Sequence, residues 1–446
     1  VGLRAIFIAP KRKGFLFSFQ EYSMIQTFSL SPGVTLRCCC DGRFKQGCLS
    51  LQLVRPMGAD EAAMNALLPT VLLRGTVRHP SLRSITLALD DLYGASVSPQ
   101  VRRVGDYQTT GLYCGFMDER FALPGDRVLE PMAEFLRELL LESPLENGGF
   151  LERYVESEKK NLISSIQCDL NDKQVYAMGR LLKIMCREDS FGLPRLGEPE
   201  QVAAITPQGL YRHHQRILAE SNFQLFYVGS RAPEQVAELL APLLDFGRRE
   251  PVPLPPQTDF HPCPGQDITE TMDVTQGKLC LGFTTPITNR EPDYPAMQVL
   301  NQVFGAGMTS KLFMNLREKE SLCYSIGSGY YGSKGILTVS AGIDSAQRDR
   351  VQAGILHQLQ LCAQGEITPG ELENAKQGLL SGLRAAHDSP GAIESYYSGG
   401  VLSGLQLSPE EAMARIQAVT LPQLCRAAQS VRLHTIYFLT EGRSEE

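Results

Sequence analysis

Long apolar runs, paired cysteines and an excess of positive charge are all missing from this sequence of 446 residues. No stretch approaches the ~18 apolar residues of a membrane span, and Ala5 to Pro10 is too short and badly flanked for a signal peptide. A cytoplasmic protein with no membrane partner is therefore expected. Lysine and arginine number 43 against 49 acidic residues, a net charge of −6, so no whole-molecule field draws nucleic acid or anionic lipid. The 12 cysteines are too sparse for a disulfide scaffold, and none forms the CxxC pair of a zinc knuckle or redox site. Histidine is scarce where a metal site would matter: His79 is the only one in the first 212 residues. What remains, 43% hydrophobic and 21% charged residues, is the composition of a soluble globular chain, long enough for several domains.

The sharpest break is FGRREPVPLPPQTDFHPCPG, residues 246–265, whose proline density predicts an extended linker. The same order of elements reads on either side of it. In the first half a strand over Cys48 to Val54 precedes helices over Glu61 to Arg74 and Ser84 to Tyr93, a strand over Tyr107 to Phe116 and a helix over Pro124 to Glu142. In the second the series is Leu279 to Thr284, Tyr294 to Phe304, Ser310 to Tyr324, Ile336 to Ile343 and Ala346 to Ala363. A duplication follows. Runs such as GLYCGF and ILTVSAGI between helices predict an α+β fold, antiparallel sheet with helices on one face, rather than a Rossmann winding. Further strands at Phe223 to Val228 and Thr435 to Leu439 suggest two α/β sandwich subdomains per half. The divisions expected are an N-terminal extension 1–23, with Met24 as an alternative start, a domain 24–245, the linker 246–265 and a domain 266–446.

Several constellations have ordinary readings. Gly305, Gly307, Thr309, Ser310 and Lys311 suggest a phosphate loop, but Ser precedes Lys and a helix precedes the loop, so a turn between helices is expected. His213-His214 is the best metal-like pair, yet adjacent helix positions diverge by about 100°, which favours a solvated face near Arg212 and Arg216. Asp90-Asp91 diverge in the same way. Period-2 alternation sends the thiols of Cys38-Cys39-Cys40 to opposite sheet faces, so core filling is favoured over chelation. No GxSxG elbow is present.

FGAGMTSKLFMNLREKESLCYSIGSGY, Phe304 to Tyr330, resembles the pitrilysin/insulinase family of zinc peptidases. RFKQGCLSLQL from Arg43, LLRGT from Leu72 to Thr76 and LDDLYGASV from Leu89 to Val97 look, in that order, like the family's amino-terminal half. The resemblance covers nearly the whole chain and is closest to the bacterial short chains that work as pairs, the YmfF-like members lacking the metal motif among them. It implies a clamshell chamber, of which this chain would form half.

Active relatives carry HxxEH on the helix before the basic-Gly-Thr run, two imidazoles one turn apart for Zn²⁺ with the Glu as general base. Counting back from Arg74-Gly75-Thr76, the resemblance places Ala66, Leu67, Leu68, Pro69 and Thr70 there. Ala66 has no lone pair, Pro69 is no base, and Thr70 is a poor ligand beside imidazole. Pro69 also predicts a kink, at roughly 3 kcal/mol inside a helix. The distal ligand pair maps onto Glu158 and Ser165, so that ligand is missing too. Glu158, flanked by Lys159 and Lys160, reads as a solvated helix face. No metal, and no catalytic residue, is expected in this chain.

The resemblance also implies an Arg and a Tyr seven residues apart that hold the substrate backbone and developing oxyanion, here Arg317 and Tyr324. Both side chains donate hydrogen bonds to carbonyl oxygen, and the bonds strengthen as charge develops. The expectation is a noncatalytic subunit of a heterodimeric zinc metallopeptidase. Its partner would be a homologous HxxEH-bearing subunit holding the zinc, and its substrate an unstructured peptide bound extended along a sheet edge. The competing expectation is a nonproteolytic scaffold or peptide-binding protein, possibly homodimeric.

Overall fold

The computed structural model describes residues 25–442, apart from 248, 258 and 261; the expected extension 1–23 and the start at Met24 lie outside them. The first sheet contains β1 (Gln26–Ser31), β2 (Val34–Cys40), β3 (Gln46–Pro56), β4 (Ser96–Val104) and β5 (Tyr107–Met117). β6 (Leu145–Glu146) and β7 (Gly149–Phe150) form a separate hairpin, and β8 (Asn222–Gly229) completes the first sheet in the order β1-β2-β8-β3-β5-β4. The second sheet, built from β9 (Asp267–Met272), β10 (Gly277–Thr284), β11 (Ser325–Tyr331), β12 (Ile336–Ile343) and β13 (Arg432–Glu441), runs β11-β12-β10-β13-β9.

The duplication is visible in these orders. β4-β5-β3-β8-β2 superimposes in sequence of pairing on β11-β12-β10-β13-β9, down to the one parallel pair in each, β2 with β8 and β9 with β13. β1 is the addition, and β4 and β11 are equivalent edge strands. The fold is α+β with mostly antiparallel sheets, as expected. The count of sandwiches is not: the strands at Phe223 to Val228 and Thr435 to Leu439 insert into the existing sheets as β8 and β13. Each half is therefore built on one main sheet, since a strand's backbone N–H and C=O groups must find partners.

The helices of the first half are α1 (Ala62–Leu72), α2 (Leu82–Asp91), α3 (Leu129–Leu141), α4 (Glu152–Asn171), α5 (Lys173–Met185), α6 (Pro199–Ala203), α7 (Pro207–Glu220) and α8 (Pro233–Leu243). Those of the second are α9 (Tyr294–Asn301), α10 (Arg348–Gln364), α11 (Pro369–Ala385), α12 (Pro390–Ser403), α13 (Pro409–Gln417) and α14 (Leu421–Ser430). Two helices change sides. α5 packs on β10 and β13 of the second sheet, and α12 packs on β8 and β3 of the first. Ala177 and Leu181 of α5 join Cys280, Tyr437 and Leu439, while Ile393 of α12 joins Cys39, Cys48, Phe226 and Val228. The exchange explains why β3 is buried almost continuously from Gly47 to Val54 instead of alternating. It also explains Gly282: a Cβ there would come within 2.7 Å of Met185 Sδ. The expected covering of one sheet face only is thus incomplete, since each sheet also has a helix from the other half on its second face.

The hairpin tips of the two sheets meet. Lys334, between β11 and β12, is fully buried and its Nζ lies 2.6 Å from Asp106 and 3.1 Å from Asp189 of the first half. The described residues between 246 and 265 form no helix or strand, and Gln257 among them lies at this junction. Gln257 Nε2 donates to Val104 O at 3.0 Å and Leu402 O at 3.1 Å, and its Oε1 accepts from Asp106 N at 2.9 Å.

Candidate functional site

Arg317 lies in a π-helical segment, Leu312–Lys319, which follows a second one at Gln302–Ala306. This geometry is rare and is found mostly as short stretches at functional sites. Leu316 is buried, so its neighbour Arg317 points outward. The turn that follows contains Ser321 at φ +52, a left-handed conformation uncommon for a side-chain-bearing residue. Leu322 and Cys323 anchor the turn in the core; burial pushes the Cys323 thiol up to about 11, so it stays protonated. The chain then enters β11 with Tyr324 N donating to Gly342 O at 2.8 Å.

The turn brings Arg317 and Tyr324 together. Arg317 Nε donates to the Tyr324 carbonyl at 3.0 Å, and the guanidinium rests on the Phe313 ring at 4.6 Å. Glu318 stands 3.4 Å from Arg317 Nη1, an exposed pair of little energetic weight. The Tyr324 side chain makes no such commitment: the residue is 66% exposed, and only its backbone serves the fold. Phe313 was not singled out by the sequence reading, although its spacing four residues before Arg317 is the signal of a shared helix face.

The metal-site positions are differently placed. Ala66 is 3% exposed, and Leu67, Leu68 and Pro69 are buried with it. Thr70 Oγ1 donates to Leu67 O at 2.8 Å within the helix. Ser165, on α4, is exposed. Ala66, Pro69, Thr70 and Ser165 offer no imidazole or carboxylate, so they do not fit a zinc ion. Among the described residues no group of three or more His, Cys, Asp or Glu is placed to hold a metal. α1 continues through Pro69, where a kink is expected, to Leu72. The carbonyl that Pro69 leaves without an amide partner, that of Asn65, accepts from Thr110 Oγ1 at 2.6 Å on β5.

Three readings of polar residues change. Glu158 is not a solvated face: it is 7% exposed and bonded by Arg74 Nε at 3.3 Å and Asn161 Nδ2 at 3.2 Å. His213 and His214 are both buried, at 4% exposure each. His213 Nε2 lies 2.8 Å from Asn65 Oδ1, and Arg216 approaches its Nδ1 at 3.0 Å. Burial pulls both imidazoles down to about 4, so both are neutral near pH 7. Lys311, in the glycine-containing turn, is committed to Glu371 at 2.8 Å and offers no phosphate cradle. Cys38 and Cys39 fall into separate clusters on opposite sheet faces, and Asp90 and Asp91 are exposed.

Known proteins bear on these positions. The Peptidase M16 inactive domain family matches residues 204–379. The probable inactive metalloprotease YmfF of Bacillus subtilis is 30% identical over 404 residues, 90% of this chain and 95% of its own. A conserved protein from Enterococcus faecalis V583 has a crystal structure similar at TM-score 0.89 and 27% identity, over 95% of this chain and all of that one. A peptidase M16 inactive domain from Pseudomonas fluorescens shares the fold at TM-score 0.75 and 18% identity, over 95% and 99% of the two chains.

Proposed function

This chain belongs to the M16 peptidase family, as an inactive homologue of its zinc proteases, and from that premise we propose that it is the noncatalytic subunit of a heterodimeric zinc metallopeptidase. The partner is a homologous HxxEH-bearing chain, which holds the zinc and supplies the activated water. The carrying observation is Tyr324, a phenol two-thirds exposed beside a guanidinium that its own carbonyl holds in place. Among the described residues no hydrogen bond or ring contact engages that phenol, which supports a role toward something outside the chain.

In this reading the two groups act on the peptide rather than on the metal. With Nε spent on the Tyr324 carbonyl, the terminal amino groups of Arg317 are the donors available to a substrate carbonyl, and the phenol adds a second. β11, which Tyr324 introduces, is an edge strand of its sheet, with one side unpaired among the described residues. An extended, unstructured peptide adds to such an edge through main-chain hydrogen bonds, which gives affinity without demanding one sequence. The chamber closed by the two chains limits the substrate to short or unfolded segments.

The test is turnover of a quenched peptide by this chain, by an HxxEH-bearing homologue, and by the two mixed. Chelator-sensitive activity that appears only in the mixture is expected. Equal activity of the homologue with and without this chain would instead favour a nonproteolytic scaffold, and activity of this chain alone would contradict both.

A further inference from the structure

Beneath α12, on the face of the first sheet that this helix covers, lies a cavity of about 280 Å³. The sheet face there is divided. Cys39, Cys48, Phe226 and Val228 form an apolar part under Ile393. Two residues along each strand from this patch or its neighbours, and so on the same face, stand Arg37, Gln224, Gln52 and Thr109, which line the cavity together with Ser395 and Ser398 of α12.

Charge on this face is unequally satisfied. Arg102 is neutralised by the buried Glu394, through contacts of 3.2 and 2.8 Å, and Ser50 and Ser398 complete that carboxylate at 2.8 and 3.2 Å. Among the described residues the half-buried Arg37 has one partner for its guanidinium, the uncharged amide oxygen of Gln224. Its burial pulls the pKa down with no carboxylate acting against it. Two further groups have no hydrogen-bond partner among the described residues: Gln52 Oε1 and Thr109 Oγ1, although these residues are 3% and 1% exposed. The amide nitrogen of Gln52 is already given to Gln100 Oε1 at 2.5 Å.

Native interiors pair almost all such groups, so two orphans and an uncompensated guanidinium around one cavity mark a place for a ligand. At ~30 Å³ per molecule, water would fill the space and satisfy the orphans but would not neutralise Arg37. An oxyanion does both, and arginine is well matched to its oxygens.

We propose that this cavity binds a small oxyanion that carries a hydroxyl hydrogen, of the hydrogenphosphate type. Arg37 gives charge-assisted bonds to its oxygens, the Thr109 hydroxyl gives another, and Gln52 Oε1 accepts the ligand's own O–H. Ser395 and Ser398 of α12, from the second half, close the cavity over these groups of the first.

The test is calorimetric titration and thermal melting of the full chain with sodium phosphate, and separately with sodium sulfate, near pH 7, where phosphate keeps an O–H and sulfate has none. Phosphate is expected to bind and to raise the melting temperature, with sulfate at least about 10-fold weaker because it leaves Gln52 unpaired. Arg37→Met, its fold checked by circular dichroism, should weaken phosphate about 10-fold or more. Thr109→Val removes an orphaned hydroxyl, so it should melt no lower than wild type without ligand and still bind phosphate several-fold more weakly. Absence of phosphate binding, sulfate binding as tight as phosphate, or both variants binding phosphate like wild type would each overturn the proposal.

Discussion

Two regions that the family resemblance ties to peptidase chemistry have met different ends in this chain. In the first half, Ala66 and Pro69 are buried among Leu67 and Leu68, and Thr70 turns back to its own helix. Those positions now serve packing. In the second half, Arg317 and Tyr324 stay at the surface, arranged by a π-helical segment and a positive-φ turn that packing alone does not require. A site that has lost its purpose drifts toward what stabilises the fold, whereas exposed groups held in a costly local geometry indicate a continuing use. The contrast supports division of labour between two chains better than general decay does.

The comparison presumes a frame that fixes the two regions relative to each other, and the largest effect is expected where that frame is joined. Lys334→Ala leaves the partly buried Asp106 and Asp189 without the Lys334 ammonium and should cost up to about 3 kcal/mol, read from a fall in the denaturation midpoint. A negligible loss would show that the halves are held mainly by the exchanged helices. Beside Asn65 of α1, acid should act through the buried histidines. Their pKa values near 4 lie below the unfolded 6.5, so the unfolded chain binds more protons. Their stabilisation is complete above pH 6.5 and is lost as pH falls toward 4, on the order of 2 kcal/mol for each between pH 7 and 5. Melting temperatures across that range check it, and replacing His213 with Gln should flatten the slope.

Thr110→Val should cost about 1 to 3 kcal/mol by orphaning the Asn65 carbonyl, and less in a Pro69→Ala background, where an amide returns to that carbonyl. An equal cost in both backgrounds would mean that Thr110 does not compensate for Pro69. The smallest change in stability belongs to Tyr324→Phe, within about 0.5 kcal/mol, since the ring is largely in solvent. A large loss there would remove the distinction between the two regions.

How much of this was legible in the sequence depended on how local its cause was. The halves repeat in an order of strands and helices that hydrophobic periodicity reports directly, and the absence of metal donors at Ala66, Pro69, Thr70 and Ser165 needs only residue identity. The exchange of α5 and α12 was not legible, because an amphipathic pattern says that a helix is covered but not by which sheet. His213 was misread for a similar reason: its partner Asn65 lies 148 residues away. Glu158 looked solvated beside two lysines, but Arg74, at the end of another helix, buries and pairs it. That a proline stands inside α1 is plain from the sequence, but the hydroxyl that takes up the carbonyl it frees comes from β5, beyond the reach of any local rule.

The most direct measurement is peptide turnover by the assembled pair with Arg317→Ala in this chain, with assembly and melting temperature measured on the same sample. A fall of ~10²-fold with assembly intact, the scale of a lost oxyanion donor, is expected if Arg317 serves the partner's reaction. Unchanged turnover in an intact complex would contradict that role.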